Sequence, residues 1–330
     1  MAQTPLLRVQ DLEVSFHTRQ GTITPVHGVS YTVQPGEILG IVGESGCGKS
    51  VSAYSVLGLL KGGGRVTGGS ILFNGDNILS YDKTQLRAFR GSQVGMIFQN
   101  PLSCLNPVLT IGRQLTEAYL AHHPRADKAE ATARAVEMLG RVGITDAQRR
   151  LHQYPFSLSG GQRQRVMIAM ALICQPRLLI ADEPTTALDV TIQAQILRLL
   201  LEAREKNGMA IVFITHNMGV ISEICDRVCV MYAGTIVEQG DLDQVFYRAA
   251  HPYTEGLLRA IPRVDAAQYT RLIPIEGTPV ELYAQPEGCP FHPRCPYCMD
   301  ICRKQMPAVR TPEPGHSVRC WREKEVSAHG

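Results

Sequence analysis

The chain has 330 residues, 44% of them apolar, and a formal net charge of +3. That is enough for one large domain or two with an ordinary core, and the charge is too small to argue for nucleic-acid binding. No apolar run approaches the roughly 18 residues of a membrane-spanning helix, and Met1–Pro5 lacks the charged-then-apolar order of a secretory signal. A cytosolic protein is therefore expected, with its ten cysteines as thiols rather than disulfides.

Residues 6–36 read as β-rich, because Leu12, Val14 and Phe16 alternate, as do Tyr31 and Val33. Ile38–Val42 is an apolar run short enough for a buried parallel strand. Gly43-Glu44-Ser45-Gly46-Cys47-Gly48-Lys49-Ser50 follows, and Val51–Leu57 reads as a helix. Strand, G-x-x-x-x-G-K-S and helix, in that order, make the setting of a phosphate-binding loop. Glycines let the backbone wrap a phosphate closely, and the helix N-terminus adds about half a positive charge. Lys49 is expected to reach the β- and γ-phosphates, and the Ser50 hydroxyl to ligate Mg²⁺. The sequence thus predicts a binder of nucleoside triphosphate.

A further strand is expected at Ser70–Phe73, closed by the Asn74-Gly75 turn signal, and another at Val94–Phe98, ending at Gln99. Residues 100–157 read as a helical insertion, with Ala129, Ala133, Val136 and Leu139 on its apolar face. Ser159 of Leu158-Ser159-Gly160-Gly161-Gln162 can cap a helix, and its glycines allow backbone N–H groups to approach an anion. Leu178–Ala181 and Ile211–Ile214 are continuous apolar runs, as in strands buried on both faces. Asp182-Glu183 ends the first run; Asp182 can hold the Mg²⁺ sphere through water, and Glu183 can polarise an attacking water as general base. His216 ends the second.

Arg227–Met231 and Thr235–Glu238 flank Tyr232-Ala233-Gly234 as a hairpin. After about residue 245 the texture turns Pro-rich and irregular, with six prolines between Pro274 and Pro296, so a boundary is placed there. Cys289, Cys295, Cys298, Cys302 and Cys320 crowd the last 42 residues. No internal repeat is visible.

The phosphate loop, the Ser159–Gln162 stretch, Asp182-Glu183 and His216 together resemble the ATP-binding-cassette (ABC) ATPases over residues 6–245. The resemblance implies an α/β fold: a P-loop core with an antiparallel β subdomain and a helical subdomain at about 100–157. It implies that ATP is bound by Phe16, Gly43, Glu44, Ser45, Gly46, Cys47, Gly48, Lys49, Ser50, Val51 and Gln99. Phe16 would stack on adenine, although the neighbouring His17 could face the base instead. Gln99 would sense Mg²⁺ beside Ser50 and Asp182, and His216 would contact the γ-phosphate and orient the water and Glu183. Ser159, Gly160, Gly161 and Gln162 would close over ATP held by a second cassette. Ala187-Leu188-Asp189 would be the loop that crosses to that subunit. One copy of each motif implies a head-to-tail pair.

The tail carries a second resemblance. His251-Pro252-Tyr253-Thr254, Leu257-Leu258, Pro274–Pro279 and Gly288–Pro296 are similar to the C-terminal extension of oligopeptide/dipeptide importer ATPases, which sets 246–330 apart from the cassette at 1–245. The resemblance implies a bacterial importer: a second, paralogous ATPase subunit, two permease subunits and a periplasmic binding protein, with this chain peripheral on the cytoplasmic face of the inner membrane. Nickel and glutathione importers belong to the same group and stay open as alternatives. A soluble cassette protein of translation or DNA repair is the contrasting class. Such proteins usually carry two cassettes or a long coiled-coil insertion, and this chain has neither.

Four thiolates suit a tetrahedral Zn²⁺ or a [4Fe–4S] cluster. The resemblance implies the cluster, on Cys289, Cys295, Cys302 and Cys320. Cys298 is then spare, although Cys295-x-x-Cys298 is the more familiar ligand spacing. So far along the chain from the ATP motifs, the cluster is expected to staple the extension or support its contact with the partner ATPase.

Overall fold

The computed structural model describes residues 4–19, 21–101, 104–185, 188–261, 274–281, 283 and 285–323. Among them are twelve strands: β1 (Leu7–Thr18), β2 (Gly21–Val33), β3 (Ile38–Val42), β4 (Gly64–Phe73), β5 (Asp76–Asn77), β6 (Val94–Ile97), β7 (Leu178–Asp182), β8 (Ala210–Thr215), β9 (Arg227–Tyr232), β10 (Thr235–Asp241), β11 (Arg310–Glu313) and β12 (His316–Val318). The chain divides into two compact units.

The first unit holds Met1–Leu6, Val33–Glu37 and Ser80–Ile214. Its strands β8, β7 and β6 lie side by side and parallel, with Val94 opposite Leu178 and Leu178 opposite Ala210. Every residue of β7 and β8 is buried, as the unbroken apolar runs predict for a sheet covered on both faces. Helices Ile111–Leu120, Lys128–Arg141 and Gly160–Leu172 pack on one another and form the expected helical insertion with the start of the following segment. One detail of that expectation is corrected. The buried face of Lys128–Arg141 is Ala131, Ala135, Met138 and Leu139, whereas Ala129 and Ala133 are exposed. Alanines alternate along this helix, so apolar spacing alone fits two faces, and the large Met138 decides which one turns inward.

The second unit holds Leu7–Thr32, Ile38–Leu79 and Thr215–Gly330. Strands β2, β1, β4 and β5 form one sheet in that order, antiparallel from β1 through β5. β4 begins at Gly64, earlier than the sequence suggests, because Gly68 and Gly69 interrupt the apolar alternation. Gly69 lies at φ 82° with the Gln10 and Asp11 carbonyls against it, where no Cβ would fit. The remaining strands run β11-β12-β10-β9-β3. β3 and β9 are parallel; β9 and β10 form the expected hairpin, with Ala233 at φ 44° and Gly234 at φ 85° as its two-residue turn.

Residues on both sides of position 245 share this sheet, since Val318 pairs with Glu238 and Ser317 with Gln239. The extension is also more regular than its composition suggests. Helix Pro252–Arg259 starts with Pro252 at its first position, and the His251 Nδ1 accepts the Tyr253 N–H at 3.0 Å. Glu238, fully buried, accepts the backbone N–H groups of Ala250 and His251 at 2.7 and 3.0 Å, and meets His316 Nε2 at 2.7 Å. Burial alone would lower the His316 pKa, but the bond and charge of Glu238, with Glu313, raise it.

Candidate nucleotide site and C-terminal thiol cavity

The phosphate loop leaves β3 and enters a helix at Lys49–Val56, two residues ahead of the sequence expectation. Gly48 therefore stands at the helix's mouth, at φ 98°, and a Cβ there would come to 2.2 Å from the Pro25 carbonyl oxygen. Only glycine meets both demands. Lys49 is buried, and its Nζ donates to the carbonyls of Gly43 and Glu44 at 2.7 and 2.8 Å. Its third contact is the weak one, to the Cys47 Sγ at 3.7 Å, so the ammonium is held over the loop with one donor that a phosphate could take over. Cys47 is buried beside it; burial pushes its thiol up, more than the Lys49 charge pulls it down.

In this same unit Phe16 is half-buried near the end of β1, its ring laid across Gly64 on β4. Its neighbour His17 is exposed, with Nδ1 bonded to the Thr22 hydroxyl at 2.9 Å. His216 is exposed just after β8. Ser50 and Val51 belong to the first turn of the phosphate-loop helix.

In the other unit, β6 delivers Gln99 and β7 delivers Asp182 and Glu183. The Gln99 side-chain amide donates to a Glu183 carboxylate oxygen at 3.1 Å. Asp182 is 1% exposed. Glu183 sits at φ 48°, a left-handed conformation unusual for a glutamate, with its N–H bonded to the Ile214 carbonyl at 2.9 Å. Ser159 caps helix Gly160–Leu172 in a reciprocal capping box with Gln162. Gly160 is exposed, and a Cβ there would meet nothing within 4 Å. Asp189 caps helix Val190–Asn207 by accepting the Ile192 N–H at 2.9 Å. Ala187, between Glu183 and Asp189, lies outside the described residues.

The motif reading missed Gln164. It is 2% exposed, and its amide donates to the Pro184 carbonyl at 2.8 Å, tying the Ser159-capped helix to the residue after Glu183. A buried amide two residues past the motif was the available signal. Arg294 was missed as well: it grips Glu44 of the phosphate loop with both arms, at 2.7 and 3.0 Å.

Cys289, Cys295, Cys302 and Cys320 line one cavity with Phe291 and Trp321, and Cys298 does not. The Cys289 N–H bonds the Cys302 carbonyl at 2.8 Å, which ties the two backbones together. Burial pushes the Cys289 thiol up to about 12 and raises Cys295 and Cys320 too. The free space between them, about 10 Å³, is near that of a single water. Among the described residues no group of three or more His, Cys, Asp or Glu is arranged to hold a metal ion, so the expected metal centre is not met as a formed site. The donor chemistry of the four residues fits a metal.

Comparison with known proteins decides the family. The family model described as "ABC transporter" matches residues 26–186. A probable peptide ABC transporter ATP-binding protein of Sinorhizobium fredii is 50% identical over 322 residues, covering 97% of this chain and 96% of that protein. The chain belongs to the ABC transporter family. Within it, this is an ABC ATPase. A second family model, "Oligopeptide/dipeptide transporter, C-terminal region", matches residues 237–302. The oligopeptide transport ATP-binding protein of Salmonella typhimurium is 48% identical, covering 97% of this chain and 94% of its own length. Among solved structures, a dimeric ATP-binding cassette in a post-hydrolysis state, bound to ADP and Pi, is similar at a TM-score of 0.66 and 27% identity. It covers 72% of this ABC ATPase and 98% of its own chain. No helix among the described residues is long and apolar enough to cross a membrane.

Proposed function

We propose that this ABC ATPase hydrolyses ATP to energise the import of di- and oligopeptides, as a peripheral subunit on the cytoplasmic face of the bacterial inner membrane. The observation that carries this reading is the pairing, in one chain, of the cassette match at 26–186 with the oligopeptide/dipeptide C-terminal match at 237–302. Its partners are a second ABC ATPase, two permease subunits and, through them, a periplasmic binding protein. An exposed aromatic pair supports a docked partner on the helical insertion: Tyr154 and Phe156 stack at 5.6 Å, with Phe156 72% exposed.

In this reading Lys49 holds the β- and γ-phosphates, Phe16 stacks on adenine, and Ser50, Asp182 and Gln99 hold Mg²⁺. When bound there, Mg²⁺ would supply positive charge against the phosphates. Glu183 takes the proton of the attacking water, held in place by the Gln99 amide; His216 orients the γ-phosphate end. Ser159, Gly160, Gly161, Gln162 and Asp189 serve the ATP of the second cassette. Gly160 supports this directly. Among the described residues a Cβ there would meet nothing within 4 Å, so the start of this helix has room for another molecule.

We infer further that the four-thiol cavity is where a [4Fe–4S] cluster would be held, with Cys298 outside the ligand set. Convergence of Cys289, Cys295, Cys302 and Cys320 on one cavity supports this. Anaerobic purification with iron, sulfide and zinc analysis decides it: cluster iron and sulfide lost in Cys302→Ser but kept in Cys298→Ser agree, and metal-free or zinc protein rejects it.

Affinity purification of the chain from detergent-solubilised membranes tests the main reading. Permease subunits should co-purify, and peptide-loaded binding protein should stimulate ATP turnover. Ribosomes or DNA in their place, or stimulation by nickel or glutathione alone, would overturn the peptide assignment.

A further inference from the structure

The C-terminal extension reaches back to the phosphate loop of its own unit. Arg294 lies on a short helical turn, His292–Arg294, between Pro293 and Cys295. Its guanidinium donates to both carboxylate oxygens of Glu44, and also to the carbonyls of Glu276 and Ile275 at 2.9 and 3.3 Å and to the Tyr232 hydroxyl at 3.4 Å. Its side chain is only 4% exposed, against 23% for Glu44. A guanidinium stays charged at any ordinary pH, so this is an ion pair as well as a hydrogen-bonded fork. A second strut comes from the same extension: the Glu44 N–H donates to the Tyr253 hydroxyl at 2.9 Å.

Both struts stand on a rigid base. Phe291 packs edge-on against Tyr232 at 5.2 Å and tilted against Tyr253 at 5.4 Å, and Tyr232 meets Tyr253 at 4.7 Å. Fork-shaped recognition of a carboxylate by a guanidinium fixes orientation as well as charge.

Glu44 places a negative charge inside a loop whose ligand is a polyanion. Left uncompensated, that carboxylate would oppose the triphosphate, and it would be free to turn towards the Lys49 ammonium and compete with phosphate for it. We infer that Arg294 is a positioning residue for ATP binding: it neutralises Glu44 and pins it away from the phosphates, so that the extension completes the phosphate loop. The inference rests on the proposed role of that loop in holding ATP.

The test is Mg-ATP titration of the full-length chain, followed by ATPase kinetics in the assembled complex. Arg294→Gln should weaken ATP binding about tenfold, because one unit charge beside the loop is left uncompensated. Arg294→Lys, which keeps the charge and loses the fork, should weaken it about threefold and serves if the glutamine variant does not fold. In an E44Q background either change at Arg294 should have no further effect. In the complex, KM for ATP should rise with kcat held within about twofold, a split that simple destabilisation of the extension would not produce. Unchanged affinity in both Arg294 variants would overturn the inference, as would a loss that persists undiminished in E44Q. Failure of the unaltered chain to bind Mg-ATP would instead strike the phosphate-loop reading itself.

Discussion

The Gln99 amide donates to the Glu183 carboxylate at 3.1 Å, and Glu183 holds an unusual left-handed backbone at φ 48°. A carboxylate held by a side-chain donor at the end of a buried strand is aimed rather than free to rotate. Glu183→Gln keeps the shape and loses the basic oxygen. ATP binding should persist while turnover falls by about two to four orders of magnitude, read as phosphate release in the assembled complex. Near-normal turnover would remove Glu183 from the role of base.

Gly160→Ala should move stability and activity in opposite directions. Among the described residues an added methyl meets nothing within 4 Å, so the thermal midpoint of the isolated chain should hold or rise. ATPase of the assembled complex should collapse, because the methyl meets the second cassette's nucleotide. Full activity in the complex would mean that Gly160 faces nothing.

Gly48→Ala carries the opposite expectation inside the chain. Its φ of 98° and the Pro25 oxygen 2.2 Å from the added Cβ leave the loop no way to keep its shape. ATP affinity should be lost in a binding isotherm, as it should in Lys49→Ala, where the ammonium itself is removed. Retained affinity in both would refute the phosphate-loop assignment.

Docking of the extension should depend on pH in two opposed ways. The folded pKa of His316 is raised above 6.5, so its pairing with Glu238 and Glu313 stabilises fully below that value and is lost as pH rises through the folded pKa. His251 is buried, which lowers its pKa to about 4, so it opposes folding as pH falls from 6.5 towards 4. Thermal melts across this range should show a stability maximum, and His316→Gln should flatten the alkaline side alone. An unchanged alkaline limb in that variant would mean the pair contributes nothing.

The residues that build the phosphate loop were legible because their spacing serves one local geometry, strand to tight turn to helix. Asp182-Glu183 was legible for a related reason: acids ending a continuous apolar run have few structural uses. The apolar face of Lys128–Arg141 was not, since Ala129, Ala131, Ala133 and Ala135 recur every second residue and fit neither helical face uniquely. Arg294 was invisible because its partner lies 250 positions away, and no local pattern reports a contact of that range. The regular elements of the extension were masked by prolines, which among the described residues sit outside its helices and strands, in the first turn of a helix, or, as Pro312 does, in the edge strand β11, all places where they are tolerated. The four tail cysteines were legible as a group, but their crowding in one tight cavity was not.

Peptide uptake by membrane vesicles tests the account most directly. Vesicles would carry the complete complex, with Mg-ATP supplied to this chain's side and labelled di- or oligopeptide on the binding-protein side. The account predicts ATP-dependent accumulation with the unaltered chain and none with Glu183→Gln, although that variant still binds ATP. Accumulation that continues undiminished with Glu183→Gln, or an unaltered complex that hydrolyses ATP yet moves no peptide, would contradict it.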